Sequence, residues 1–326
     1  MITGGVRRWI WTAIVVVIGA AAVVTLGDVR QLATRLGGFR WPAFGAALGL
    51  AAANYVIRFV RWELYLRRQA VRVPLGSSAL VFGAGLSLSI TPGKVGELVK
   101  SYLLRELHDV PATRTAPIVV AERVSDVIAL VLLAIAGVAA FGFATTLVVA
   151  AAGLIGVGLV LLAWPRPTRA LIDLATRPAL VRRWRPPLHT MYDGLAALCR
   201  PTTLAVATAL AVPAWACEGA GFAAIVNAFP GAHVDLGLAM VIYAATTMAG
   251  ALSFLPGGLG VTEGAMTMML VRGAARLDHA SALDATLLTR LATLWFAVLL
   301  GLACLAVARR RVRARARMTS AREPVY

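Results

Sequence analysis

The chain has 326 residues, of which 60% are hydrophobic and 14% charged, with a net charge of +17 and a mean hydropathy of +0.79. Soluble domains carry roughly 45–50% apolar and ~25% charged residues, so a water-soluble enzyme and a disordered chain are both excluded. The arginines lie between apolar runs, a pattern of membrane topology and anionic lipid rather than of nucleic acid.

A helix crossing ~30 Å of hydrocarbon needs ~20 apolar residues. In chain order, such runs occupy 9–26, 43–65, 118–141, 145–164, 203–228 and 282–308. The first is longer than a signal-peptide core and reads as an uncleaved anchor. Two further apolar segments, 78–104 and 236–271, are interrupted by Thr91-Pro92-Gly93-Lys94-Val95-Gly96 and by Pro256-Gly257-Gly258-Leu259-Gly260. Proline removes an N–H and glycine has little helical preference, so each cluster ends a helix. The stretch 79–90 makes about 18 Å of helix, roughly half the hydrocarbon core, which puts the first break near the midplane. Backbone freed at that depth must be covered by protein or line a water-filled cavity.

If each broken segment enters and leaves on one side and both termini are cytoplasmic, 21 arginines fall inside and five outside, as the positive-inside rule requires. Single crossings would instead invert the N-terminal half. The charge rule prefers hairpins, and with them a multi-pass protein with both termini cytoplasmic. The motif Leu88-Ser89-x-x-Pro92-Gly93-x-x-Gly96 recurs as Leu252-Ser253-x-x-Pro256-Gly257-x-x-Gly260, and at the same offset Asn54 falls on Glu218. Arg123 corresponds to Arg290 at nearly that offset. The expected fold is therefore an all-α polytopic membrane protein with about six spanning helices and two broken re-entrant hairpins, built as an inverted internal repeat. Residues 1–141 form the first repeat, 142–308 the second with its basic segment 165–202, and 309–326 a basic tail.

Ionisable residues inside a bilayer pair with one another or mark a substrate path. Arg58, Arg61, Lys94, Lys100, Arg123 and Arg290 are matched by Glu63, Glu97, Glu122, Asp126, Glu218 and Glu263. The plain interpretation is mutual neutralisation, with Arg61, Glu63 and Lys100 snorkelling to the interface. The functional one is an anion site, in which Arg58, Lys94 and Arg123 hold a phosphate near amides freed at the first break. Glu97, Glu122, Glu218 and Glu263 then carry protons or balance those cations, although Glu263 also suits the start of a returning half-helix. Segment 165–200, rich in arginine, lies along an anionic leaflet or is a solvated connector. Cys199, Cys217 and Cys304 are far apart and the histidines are scattered, so no disulfide, metal or cofactor site is expected.

Asn54-x-x-x-Arg58-x-x-Arg61-Trp62, Thr91-Pro92-Gly93-Lys94-x-Gly96-Glu97, Glu122-Arg123-x-x-Asp126 and Leu255-Pro256-Gly257-Gly258-Leu259-Gly260-x-x-Glu263 occur in this order. Together they resemble the flippase-like membrane family named for the lysylphosphatidylglycerol synthase transmembrane region, over roughly residues 9–308. The resemblance implies a multi-pass protein of the plasma (inner) membrane that moves or binds lipids, in pathways of glycolipids, polyprenyl lipids or hopanoids. The lysyl-transferring part of full-length synthases is a further domain not seen by residue 326, so lysyl transfer is not expected. The leading expectation is a non-enzymatic translocator of an anionic phospholipid, glycolipid or polyprenyl lipid. Its partners are membrane lipids and a glycosyltransferase or lipid-modifying enzyme. The competing readings are a membrane-embedded transferase and a scaffold for such a pathway.

Overall fold

The computed structural model describes residues 36–141, 145–178, 181–272 and 277–320, so the expected first span at 9–26 lies outside the described residues. Helix α1 (Pro42–Arg68) opens with a proline in its first turn and closes on Arg67 and Arg68. Both choices suit those ends, since proline lacks only an N–H that would be unpaired there and cations favour the C-terminal dipole. α2 (Leu75–Leu86), a 3-10 turn (Pro92–Leu98) and α3 (Val99–His108) form the first broken segment. α4 (Ala112–Phe141) and α5 (Thr145–Ala163) follow, then the basic pair α6 (Pro165–Ala175) and α7 (Arg185–Leu198). α8 (Pro201–Val226) leads to the second broken segment, made of α9 (Leu236–Leu252), a 3-10 turn (Pro256–Gly258) and α10 (Val261–Arg272). α11 (His279–Arg290) passes through a π-turn (Leu291–Trp295) into α12 (Phe296–Ser320).

Among the described residues there is no strand, and Pro42–Arg68, Pro201–Val226 and His279–Arg315 are long and apolar enough to cross a membrane. The chain is an all-α membrane protein. Its first break begins four residues earlier than the sequence suggests, at Ser87 rather than Thr91. The Ser87 and Thr91 hydroxyls donate to the carbonyls of Ala84 and Leu88, both at 2.7 Å. Such local bonds compete with a helical ladder, and residue 91, preceding Pro92, is pushed out of the helical region. In the basic tail, Arg309 to Arg317 continue α12, and Arg315 pairs with Asp109 at the end of α3.

Packing is governed by small residues. α1 and α8 make the most extensive helix pair. Their contacts run from the Arg40 amide on the Ala228 carbonyl, through Ala47 against Gly221, to the Asn54 side chain on the Ala214 carbonyl. The pair is antiparallel. Alanine and glycine at the contact let the backbones close in, which is how helices associate where lipid supplies no hydrophobic drive. α2 lies against α12, while α9 lies against α4. A methyl at Gly301 would stand 2.1 Å from the Ser87 amide nitrogen, so only glycine permits the α2–α12 approach. Finally, the two 3-10 turns touch each other. Gly257, at φ +61°, presents its Cα side to Ile90, and a Cβ there would meet the Ile90 side chain at 3.1 Å.

Candidate functional site

The charged residues of the first half converge between α1, α3 and α4. On α4, Glu122 and Asp126 are one turn apart and share a face, while Ser125 fills the space between them. Arg61 reaches across from α1 to Asp126 at 2.7 Å and to the Ser125 hydroxyl at 3.1 Å. From α3, Lys100 donates to Glu122 at 2.5 Å and to Glu97 at 3.2 Å. Arg123 spans Glu97 at 3.4 Å and Asp126 at 3.1 Å, and Arg58 stands 3.8 Å from Glu97. Apolar and aromatic walls enclose the network: the Lys100 ammonium lies 4.7 Å from the Trp62 ring and 5.7 Å from that of Phe82.

Arg61 and Lys100 therefore do not snorkel. They are 0% and 1% exposed and end in carboxylates inside the protein. Snorkelling fails because both stems point inward; the Lys100 stem lies over Gly85, where a Cβ would come within 2.7 Å of its Cγ. Glu63 accepts from the Ser78 hydroxyl, which itself accepts from the Trp62 indole. Arg123 is the most open member of the network, with 22% of its side chain exposed against 6% or less for Arg58, Arg61 and Lys100. The Nε atoms of Arg58, Arg61 and Arg123 and one oxygen of Glu122 are buried without a hydrogen-bond partner among the described residues. Buried donors of this kind are normally met by protein or ordered water, and an anion would satisfy them equally.

The second half builds a smaller counterpart. Arg290 at the end of α11 lies 2.6 Å from Glu263 and donates to the Gly257 carbonyl at 2.5 Å. Glu263 also accepts from the Gly260 amide at 2.6 Å, so it caps the returning helix and pairs with an arginine at once. Pro256, Gly257 and Gly258 shape this turn, and Gly258 is buried against Thr262 and Gly250. Glu218 on α8 accepts from the Tyr243 hydroxyl at 2.5 Å and is within electrostatic reach of Arg58.

Of the expected site residues, Arg58, Arg61, Glu97, Lys100, Glu122, Arg123 and Asp126 come together. Asn54 instead ties α1 to α8. Thr91 closes the first break, since its hydroxyl also accepts from the Gly96 amide at 2.8 Å, and Pro92 opens the 3-10 turn. Gly93 and Lys94 are in that turn, but the Lys94 side chain lies outside the described residues, so its assignment as an anion ligand is untouched by this geometry. Ser125, Trp215 and Tyr243 escaped the sequence reading. Trp215 donates its indole N–H to Asp126 at 3.1 Å, and Tyr243 serves Glu218. A tryptophan in mid-helix, away from any interface position, is the signal that would have found Trp215.

This constellation sits within a matched family region. Residues 10–301 match the family described as the lysylphosphatidylglycerol synthase TM region. The chain belongs to that family. No curated protein matches it significantly. In this member of the lysylphosphatidylglycerol synthase TM family, the matched span takes in both broken segments and every residue of the two charged groups. A membrane role connected with lipids follows at that level.

Proposed function

We propose that the chain moves an anionic, phosphate-bearing lipid across the plasma membrane, with the headgroup passing the charged network while acyl or prenyl chains stay in lipid. The observation that supports this most is the meeting of the two breaks beside arginines whose buried Nε donors lack hydrogen-bond partners among the described residues. Read as an inverted repeat, residues 36–141 and 145–308 exchange elements: α2 of the first packs on α12 of the second, and α9 of the second on α4 of the first. The antiparallel α1–α8 pair and the touching turns then lie on the symmetry axis. Arg123 with Glu97 and Arg290 with Glu263 are counterparts, each joining the third helix of a repeat to its returning hairpin arm. Transporters of this plan place substrate at the repeat interface.

Charge balance suggests the order of events. Arg58, Arg61, Lys100 and Arg123 meet Glu97, Glu122 and Asp126, and Glu218 supplies a fourth carboxylate nearby. An incoming phosphate must therefore displace a carboxylate or arrive with a proton or cation. Glu97 is the natural one to yield, because it touches Arg58, Lys100 and Arg123 together and holds the more open Arg123.

The test is transbilayer movement of a headgroup-labelled phosphatidylglycerol in liposomes carrying purified protein, read by a membrane-impermeant quencher. Movement without covalent change supports translocation, and a new lipid product supports the transferase reading instead. Arg123→Ala should slow movement by one to two orders of magnitude if the guanidinium makes a charge-assisted bond worth about 1.5–3 kcal/mol. Unchanged movement in that variant removes Arg123 from the path.

A further inference from the structure

We propose that α6 and α7 form a docking surface for the anionic headgroup layer of the membrane, separate from the charged network. α5 has 19 residues and so rises about 28 Å, close to a full hydrocarbon thickness. Its end at Trp164, a residue suited to the lipid–water boundary, delivers Pro165 and α6 to the headgroup level.

Three bonds fix the bend there. The Thr168 hydroxyl donates to the Leu161 carbonyl at 2.6 Å, and the Tyr192 hydroxyl of α7 reaches the carbonyls of Leu161 and Leu162 at 3.4 and 3.1 Å. α7 is in turn seated on α4, with Gly194 against Pro117, and the Gln69 amide donates to the Gly194 carbonyl at 3.0 Å. The segment is thus held in place rather than strung as a loose connector.

What it presents outward is amphipathic. Leu171 and Leu174, three residues apart, are 53% and 55% exposed, and Trp184 is 53% exposed. Arg169 and Arg185 are tied to Asp193 at 2.8 Å and Asp173 at 2.6 Å, which staples α6 to α7. Arg166, Arg177 and Arg182 are exposed and have no carboxylate partner among the described residues. Arg183 lies over the Trp184 ring at 5.7 Å. Exposed leucine and tryptophan beside unneutralised arginine is the composition of a helix lying in an anionic interface.

The test places an environment-sensitive fluorophore on Leu174→Cys in the full chain with Cys199, Cys217 and Cys304 replaced by alanine. The protein is held in nanodiscs of phosphatidylcholine, with or without phosphatidylglycerol, and Leu171→Cys repeats the reading one turn away. The expected result is a blue shift and lower acrylamide quenching that grow with phosphatidylglycerol. Arg182→Glu combined with Arg183→Glu should weaken that response by on the order of fivefold per arginine removed. A label that stays water-exposed in both lipids overturns the proposal and leaves a protein partner as the occupant. A label immersed equally in both, and indifferent to the charge reversals, overturns the anionic part and leaves apolar anchoring alone. Neither outcome bears on lipid movement, so translocation stands or falls separately.

Discussion

Lys100 joins Glu97 and Glu122 from a position that is 1% exposed, so its charge is answered by carboxylates rather than by water. Removing one partner of such a pair strands the other, at a cost of about 3–5 kcal/mol. Lys100→Met should therefore lower the unfolding temperature in detergent sharply, while Lys100→Met with Glu122→Gln should recover most of the loss. Equal destabilisation by both would mean that packing of the stem over Gly85, not charge, is what matters. At the surface the balance differs. Asp173 is held by the Arg185 guanidinium and by His189, which bring its carboxyl down to about 2 from the usual carboxylate range. A depressed carboxylate stabilises the fold above its unfolded value near ~3.9 and loses that contribution as pH falls through the folded one. The α6–α7 staple should hold from neutrality to about pH 4 and release between there and about pH 2, as spin-label mobility on Leu171→Cys would report. Single residues were readable from the sequence as ionisable groups in apolar helices. Their pairings were not, because Lys100–Glu122 and Arg61–Asp126 join different elements whose packing no local pattern encodes.

At the level of elements, the apolar runs within the described residues found their helices because length and composition decide them: 43–65 became Pro42–Arg68 and 203–228 became Pro201–Val226. The first break was legible as a Pro-Gly cluster, yet its start moved to Ser87 through hydroxyl–carbonyl bonds whose strength depends on the local turn. Contacts between elements rest on small residues. Gly301→Val should force α2 from α12, since even its Cβ meets the Ser87 backbone at 2.1 Å, which no rotamer can relieve. Overpacking of that kind costs about 1–3 kcal/mol or more, whereas Gly264→Ala, with nothing within 4 Å of the added methyl, should leave stability unchanged or raise it. Thermal unfolding of the two variants side by side checks the claim. A Gly301→Val protein as stable as the parent would show that the α2–α12 approach is not a structural constraint.

For the molecule as a whole, the recurring Leu-Ser-x-x-Pro-Gly-x-x-Gly motif announced two similar breaks, but not that they would touch, with Ile90 against Gly257. Nor did composition reveal that Arg290 would hold the second turn through the Gly257 carbonyl. If a headgroup passes where these turns meet, the turns must separate during movement. With the native cysteines replaced, Ile90→Cys and Gly257→Cys would bring two thiols close together, since a Cβ at 257 would stand 3.7 Å from the Ile90 Cα, although the positive φ at 257 strains any side chain there. Oxidation of this pair in proteoliposomes should stop the transbilayer movement of labelled phosphatidylglycerol, and a reductant should restore it. Undiminished movement with the turns locked together would show that the headgroup does not pass between them.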